Sequence, residues 1–195
     1  MGGVVGLLLA AGGGRRLGGR AKAGLIHRGR PLVEHGVAEL RAGGCDRVVV
    51  VLGAEAEAVL AVARLDGCVV VRNADWDAGM GSSLAAGVAA LPADADAFLV
   101  TLVDMPGVGA AAVRRLIAAY TAHDDLIAAG YTGTRGHPVL IGRAWWPELA
   151  AKAEGDAGAR ALLTEQRARL RLIECGDIAD PYDIDTPEDL GRLEP

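Results

Sequence analysis

The sequence predicts an α/β fold: a single domain over residues 1–195, built as a three-layer α/β/α sandwich around a mostly parallel sheet. Three observations predict it. Short apolar runs of strand length recur along the chain, amphipathic helical stretches separate the first four, and a length of 195 residues suits one domain.

The runs expected as strands are Val4–Ala10, Arg47–Leu52, Cys68–Arg72, Ala97–Leu102, Leu126–Ala129, Pro138–Ile141 and Leu170–Glu174. Between the first two, Leu32, Val33, Gly36, Val37 and Leu40 share one helical face. The next stretch repeats the pattern with Val59, Val62 and Ala63, the third with Leu84, Val88 and Leu91, and a fourth with Val113, Leu116, Ile117 and Tyr120. Apolar strands alternating with such helices imply a parallel sheet covered on both faces. The later half, punctuated by Pro138, Pro147, Pro181 and Pro187, is less regular.

Composition narrows the classes. Hydrophobic residues make up 51% but aromatics only 4%, so Ala, Val and Leu must form the core. Twenty basic against 25 acidic side chains leave a net charge of −5 with no basic stripe, which argues against nucleic acid as a partner. Cys45, Cys68 and Cys175 are scattered, as expected of reduced thiols in a cytoplasmic protein. The apolar run at Val4–Ala11 precedes its arginines and is far short of the ~20 residues of a membrane span, so no membrane association is expected.

Open α/β sheets bind ligands at the carboxyl ends of their strands, so the segments just after strands carry most weight. The first strand runs into Leu9-Ala10-Ala11-Gly12-Gly13-Gly14-Arg15-Arg16-Leu17-Gly18-Gly19-Arg20-Ala21-Lys22. The glycines let backbone N–H groups approach phosphate oxygens as a nest, and Arg15, Arg16, Arg20 and Lys22 add charge there. The Walker pattern fails because Gly19 and Arg20, not Lys and Ser or Thr, follow Gly18. The dinucleotide fingerprint fails because Leu17 stands at its third glycine.

Further motifs follow. Asp104-Met105-Pro106 ends the fourth strand and puts a hard carboxylate at the sheet's ligand-binding edge, suited to Mg²⁺ or, alternatively, to capping the helix that follows. In Tyr182-Asp183-Ile184-Asp185-Thr186-Pro187-Glu188-Asp189, helix initiation accounts for the last four residues, Thr186 as N-cap, and leaves Asp183 and Asp185 unexplained. Asn73-Ala74-Asp75-Trp76-Asp77-Ala78-Gly79-Met80-Gly81-Ser82-Ser83 opens a helix whose N-terminus can hold an anion, or whose serines simply cap it. Thr132–Pro138 reads as a tight polar loop carrying Arg135 and His137, and Gly155–Arg160 as a loop opening another helix.

Taken in order, these segments resemble the MobA-like NTP transferases, which include the molybdenum-cofactor cytidylyltransferases and guanylyltransferases. The glycine-rich loop is similar to L-A-[AG]-G-x-x-x-R-[ML]-G-x-x-x-K, with Leu17 in place of the usual Met. The N-x-x-W-x-x-G-M-x-S-S-L, D-M-P, G-x-x-G-H-P, G-D-x-G-A-R and D-I-D-T-P-E-D strings extend the likeness from Leu8 to Leu190. The resemblance implies a Rossmann-like, nucleotide-diphospho-sugar transferase-like sandwich. It implies an Mg²⁺-dependent nucleotidyltransferase with Arg16, Lys22 and Asp104 catalytic, and with Asp104 and Asp185 on the metal; Asp183 is the alternative second ligand. Leu9, Ala10, Ala11, Gly12, Gly13, Gly14, Arg15, Gly18, Asn73, Gly81 and Ser82 are expected to contact the nucleoside triphosphate. Arg135, His137 and Arg160 are expected to face a phosphorylated acceptor. Ala10-Ala11-Gly12 resembles the cytidylyl branch, which implies CTP, with molybdopterin cofactor as acceptor and a molybdoenzyme receiving the product. A guanylyltransferase, a transferase with another acceptor, an NAD(P)H-dependent oxidoreductase and a silent cofactor-binding module are the competing readings.

Overall fold

The computed structural model describes residues 3–152 and 158–194. Among the described residues nine strands and six α-helices follow in order: β1 (Val4–Ala10), β2 (Ile26–His27), β3 (Arg30–Pro31), α1 (Leu32–Ala42), β4 (Val48–Leu52), α2 (Ala56–Val62), β5 (Cys68–Arg72), α3 (Met80–Ala89), β6 (Ala97–Leu102), α4 (Ala110–Ala119), β7 (Leu126–Tyr131), β8 (Thr134–Gly142), α5 (Trp146–Lys152), α6 (Arg160–Glu165) and β9 (Leu170–Glu174).

Seven strands form one sheet in the order β5-β4-β1-β6-β8-β7-β9. All neighbours pair parallel except β8, which runs against both β6 and β7. The mostly parallel sheet is therefore as expected, with one reversed strand. β1 is buried at every position, as a central strand covered on both faces must be. Alternate side chains serve two cores. Leu8, Val50, Leu99 and Leu140 pack with Leu32, Val37 and Leu40 of α1, Val59 of α2 and Val113 and Leu116 of α4. Leu7, Val51, Phe98 and Ile141 pack on the other face with Leu84 of α3, Leu149 of α5 and Leu162 of α6. The period of two along each strand separates these two sets.

One expectation is corrected and one element is added. Thr132–Pro138 is not a loop: Thr132 (φ 52°) and Gly133 (φ 82°) alone make the turn, and β8 starts at Thr134. Two successive positive φ values match the right-handed twist of a hairpin, so the polar residues that follow can pair at once. The β2–β3 hairpin was not foreseen. Among the described residues no helix is long and apolar enough to cross a membrane.

The chain leaves β1 towards β4 on one side, and β6 lies on the other. The strand order reverses between β1 and β6, and a crevice opens there beyond their carboxyl ends.

Candidate nucleotide-binding site

The glycine-rich loop grows out of β1 into that crevice. Gly14 adopts the left-handed region (φ 54°), and its carbonyl accepts hydrogen bonds from Leu17 N (2.8 Å) and Gly19 N (3.1 Å). A Cβ at Gly14 would overlap the carbonyl oxygen of Arg20, so the loop closes on itself only with glycine there. Arg15–Leu17 form a single 3-10 turn that buries Leu17 and leaves both arginines in solvent. At the loop's far end Ala21 N donates to Glu55 Oε2 at 2.9 Å. Glu55 itself sits at φ 50°, a conformation costly for a side-chain-bearing residue, and it holds the backbone immediately before Lys22.

Lys22 is 8% exposed and points at the tip of β6. Its Nζ donates to Asp104 Oδ2 at 2.7 Å and to Asp185 Oδ1 at 2.9 Å, while Arg16 pairs with Asp185 Oδ2. Asp104 is not a helix cap: Glu39 Oε2 receives Ala110 N at the start of α4. Asp185 is brought in by its neighbour, since buried Ile184 donates its N–H to the Asp104 carbonyl at 2.8 Å. Burial pulls the Lys22 ammonium down, but the charges and hydrogen bonds of Asp104 and then Asp185 outweigh it and leave it above the ordinary lysine value. The hydrogen bond from Lys22, helped by its charge and by Arg16, holds Asp185 below the usual carboxylate range. The exposed carboxyl of Asp183 is pushed up, first by the protein crowding it and then by the charge of Asp104.

These two carboxylates fit a divalent cation. One ammonium nitrogen already lies within hydrogen-bond distance of both, so the space between them holds positive charge. Among the described residues no group of three or more metal-ligating side chains exists. Asp104 and Asp185 could hold an ion only of the kind that takes one or two carboxylates and completes its shell with substrate oxygens and water.

Trp76 forms the opposite wall. It lies where a Cβ on Gly13 would stand, 2.8 Å from that position, and it also covers Gly53 at the end of β4. Glycine at both positions lets the indole press against the loop and the strand end. The open cleft so bounded measures about 440 Å³, in the range of small-molecule ligand sites.

Of the residues singled out from the sequence, Leu9, Ala11, Gly12, Gly13, Gly14, Arg15, Arg16, Lys22, Asp104 and Asp185 line this cavity. Ala10 lies beneath it, and Gly18 stands on the exposed outer turn of the loop. Asn73, Gly81 and Ser82 sit one layer behind. The Asn73 amide donates to Ser82 Oγ (2.9 Å) and Ser83 Oγ (3.0 Å), and Ser82 Oγ donates to the Asp75 and Gly79 carbonyls. The serines therefore do not cap α3, whose first turn carries no side-chain cap bond. The wall itself comes from Trp76, Asp77, Ala78, Gly79, Met80 and Ser83, which lie in the same sequence string but were not chosen from it.

The three expected acceptor residues are not in the cavity wall. Arg135 and His137 are on β8, whose pairing with β7 shifts register between Ala128 and Ala129 of β7. His137 faces the Val100 carbonyl at 3.5 Å, and burial depresses its basicity. Arg160 is exposed at the start of α6, and Gly155, Asp156 and Ala157 lie outside the described residues. A Cβ on Gly158 would stand 3.4 Å from the Met80 sulfur. The expected cap at Thr186 is inverted, because the Thr186 hydroxyl donates to Asp189 Oδ2 at 2.9 Å.

Comparison with known proteins bears on this geometry. Residues 6–170 match the MobA-like NTP transferase domain. A Paenarthrobacter nicotinovorans protein described as nicotine blue oxidoreductase is 43% identical over 197 residues, spanning 97% of this chain and 96% of that one. The Rv0371c protein of Mycobacterium tuberculosis H37Rv, solved as a complex with manganese, superposes with a TM-score of 0.79 at 29% identity, over 98% of this chain and 97% of that one. A nucleotidyl transferase from Methanothermobacter thermautotroptrophicus shares the fold, with a TM-score of 0.78 at 24% identity over 97% and 94% of the two chains.

Proposed function

The chain belongs to the MobA-like NTP transferase family, and from that premise we propose that it moves CMP from CTP to a phosphorylated acceptor, molybdopterin cofactor, and releases pyrophosphate. The observation that carries this reading is the meeting of Lys22, Asp104, Asp185 and Arg16 at the mouth of the glycine-rich loop. An acceptor phosphate oxygen attacks the α-phosphorus; the new P–O bond forms as the bond to pyrophosphate breaks. A phosphate monoester is largely dianionic at neutral pH, so the acceptor needs no general base. What the reaction needs is positioning and charge neutralisation. Backbone N–H groups from Gly12 to Gly14 receive the phosphates, and Arg16 and Lys22 stabilise the charge that builds on the α-phosphate and leaving group. Asp104 and Asp185 would hold Mg²⁺, which supplies further neutralisation of the triphosphate. Manganese in the Mycobacterium relative is consistent with a divalent ion at such a site.

CTP is favoured over GTP by Ala10-Ala11-Gly12, and the whole chain, 1–195, is taken as one transferase domain. Its setting is the cytoplasm, with a molybdoenzyme receiving the product and with neither nucleic acid nor membrane as partner. Incubation with Mg²⁺, molybdopterin and each nucleoside triphosphate, with pyrophosphate as the readout, tests the proposal. Release with CTP alone supports it, and release with GTP alone moves the chain to the guanylyl branch.

The name of the 43% identical relative favours a second reading, hydride transfer from NAD(P)H to an organic acceptor. A thermal-shift comparison of Mg²⁺–CTP with NADPH separates the two. A ligand at 100 times its dissociation constant adds roughly 2.7 kcal/mol. A shift with NADPH and none with any triphosphate would replace the transferase reading by this one.

A further inference from the structure

Asp185 reaches the site from a segment, residues 179–185, that has neither helix nor strand to hold it. Behind it the chain is tied by buried Ile184 to the Asp104 carbonyl. Ahead of it the tie is a side chain. Asp189 Oδ2 accepts hydrogen bonds from Asp185 N (3.1 Å), Thr186 N (2.8 Å) and Thr186 Oγ1 (2.9 Å). The Thr186 bonds are the reach-back half of a capping box on the 3-10 turn that follows, Glu188–Arg192, because the Thr186 carbonyl accepts Asp189 N–H at 3.1 Å. The bond to Asp185 N goes beyond capping: it carries the Asp189 carboxylate one residue further back, to the residue whose own carboxylate faces Lys22 and Arg16.

We propose that Asp189 is a positioning residue: by holding the backbone N–H of Asp185 and both polar groups of Thr186 on one oxygen, it fixes the place at which the Asp185 carboxylate meets the cation and the triphosphate. The proposal rests on the reading of Asp185 as a metal-holding side chain. Groups that orient a ligand from behind matter nearly as much as the ligand itself, because a carboxylate free to swing spends part of its time out of reach of the ion. Asp189 does so through the main chain, so its removal changes where Asp185 stands and leaves its chemistry alone.

The test uses the full chain and Mn²⁺ with CTP as the probe. Asp189→Ala is expected to raise the Mn²⁺ dissociation constant by about 10–100-fold and to speed amide exchange at Asp185 and Thr186. Asp189→Asn keeps an acceptor oxygen and is expected to stay near wild type in both. Glu188→Ala removes the same charge one residue away and is expected to change neither. Unchanged Mn²⁺ binding in Asp189→Ala overturns the proposal, and so does an Asp189→Asn variant as impaired as Asp189→Ala. If Asp189→Ala does not fold, the wild-type protein still decides, because rapid exchange at Asp185 and Thr186 contradicts a hold by Asp189. A wild-type protein that binds no Mn²⁺ with CTP removes the functional reading and this inference with it. Binding by the wild type with equal binding by Asp189→Ala removes this inference alone.

Discussion

Lys22 is the residue on which the site turns, because it faces two carboxylates from a nearly solvent-free position. Replacing it by Met keeps the bulk of the side chain and removes the charge, leaving Asp104 and Asp185 without a counter-ion on that side. Under the transferase reading, Lys22→Met lowers kcat by about 10²–10³-fold, the loss typical of one stabilising donor, and leaves the acceptor KM little changed. Steady-state kinetics with CTP check this, and a defect confined to the acceptor KM contradicts it. Asp104→Ala acts from the other side of the same pair. Turnover is expected to fall below detection while the circular dichroism spectrum stays that of the wild type, since Asp104 caps no helix and Glu39 already serves α4. Full activity in that variant removes Asp104 from the metal assignment.

Among the elements, the loop after β1 and the indole that leans on it act together. Gly14→Ala places a methyl group against the Arg20 carbonyl and imposes a left-handed conformation that costs an L-residue roughly 1–2 kcal/mol. The loop must open, and CTP affinity is expected to fall at least tenfold with the sheet intact, as read by titration calorimetry beside circular dichroism. Trp76 should report the same event by its fluorescence, because Trp145 and Trp146 lie outside the cavity wall; Trp76→Phe is expected to abolish the change on CTP binding. This element also shows how far the sequence could be read. The strands Val4–Ala10, Cys68–Arg72 and Ala97–Leu102 stand where the apolar runs put them, because those runs face the core or sit beside it at strand length. The Ile26–His27 and Arg30–Pro31 pair is too short to show any period, and the reversal of β8 leaves no local trace. Lys22, Asp104 and Asp185 could each be picked out from a motif, but their meeting depends on three separate strand and strap ends converging. In the Asn73–Ser83 string the polar residues carry the sequence signal, yet Asn73 turns inward to bind Ser82 and Ser83 and leaves the cavity wall to Trp76 and Met80. Side-chain direction in an irregular turn has no period to betray it.

At the scale of the whole molecule, His27 and His137 set how the fold answers to acid. His27 is 1% exposed and takes Glu194 N–H on its Nδ1 at 3.1 Å, a bond that requires that nitrogen to be unprotonated. Burial first, then the neighbouring His35 ring and the Arg28 charge, depress its basicity, against an opposing pull from Glu194. His137, half-buried against the Val100 carbonyl, is depressed in the same direction, mainly by desolvation. The folded state therefore binds fewer protons than the unfolded chain once the pH falls below the ordinary histidine value of about 6.5. Stability is fully present above that value and is lost as the pH drops through it, by at most about 1.4 kcal/mol per pH unit for each such histidine. Carboxylates held low by partners, such as Asp177 beside Arg115, act in the same direction but only near and below the ordinary aspartate range, so the two contributions separate along the pH axis. Urea unfolding followed from about pH 8 to about pH 5 is expected to show a level plateau and then a falling midpoint. His27→Asn retains an acceptor for Glu194 N–H without a group that titrates, and its curve is expected to fall less steeply over that interval. A wild-type midpoint that holds constant down to about pH 5 would show that the folded chain accommodates the protonated ring, and the Glu194 contact would then have to break without cost to the fold.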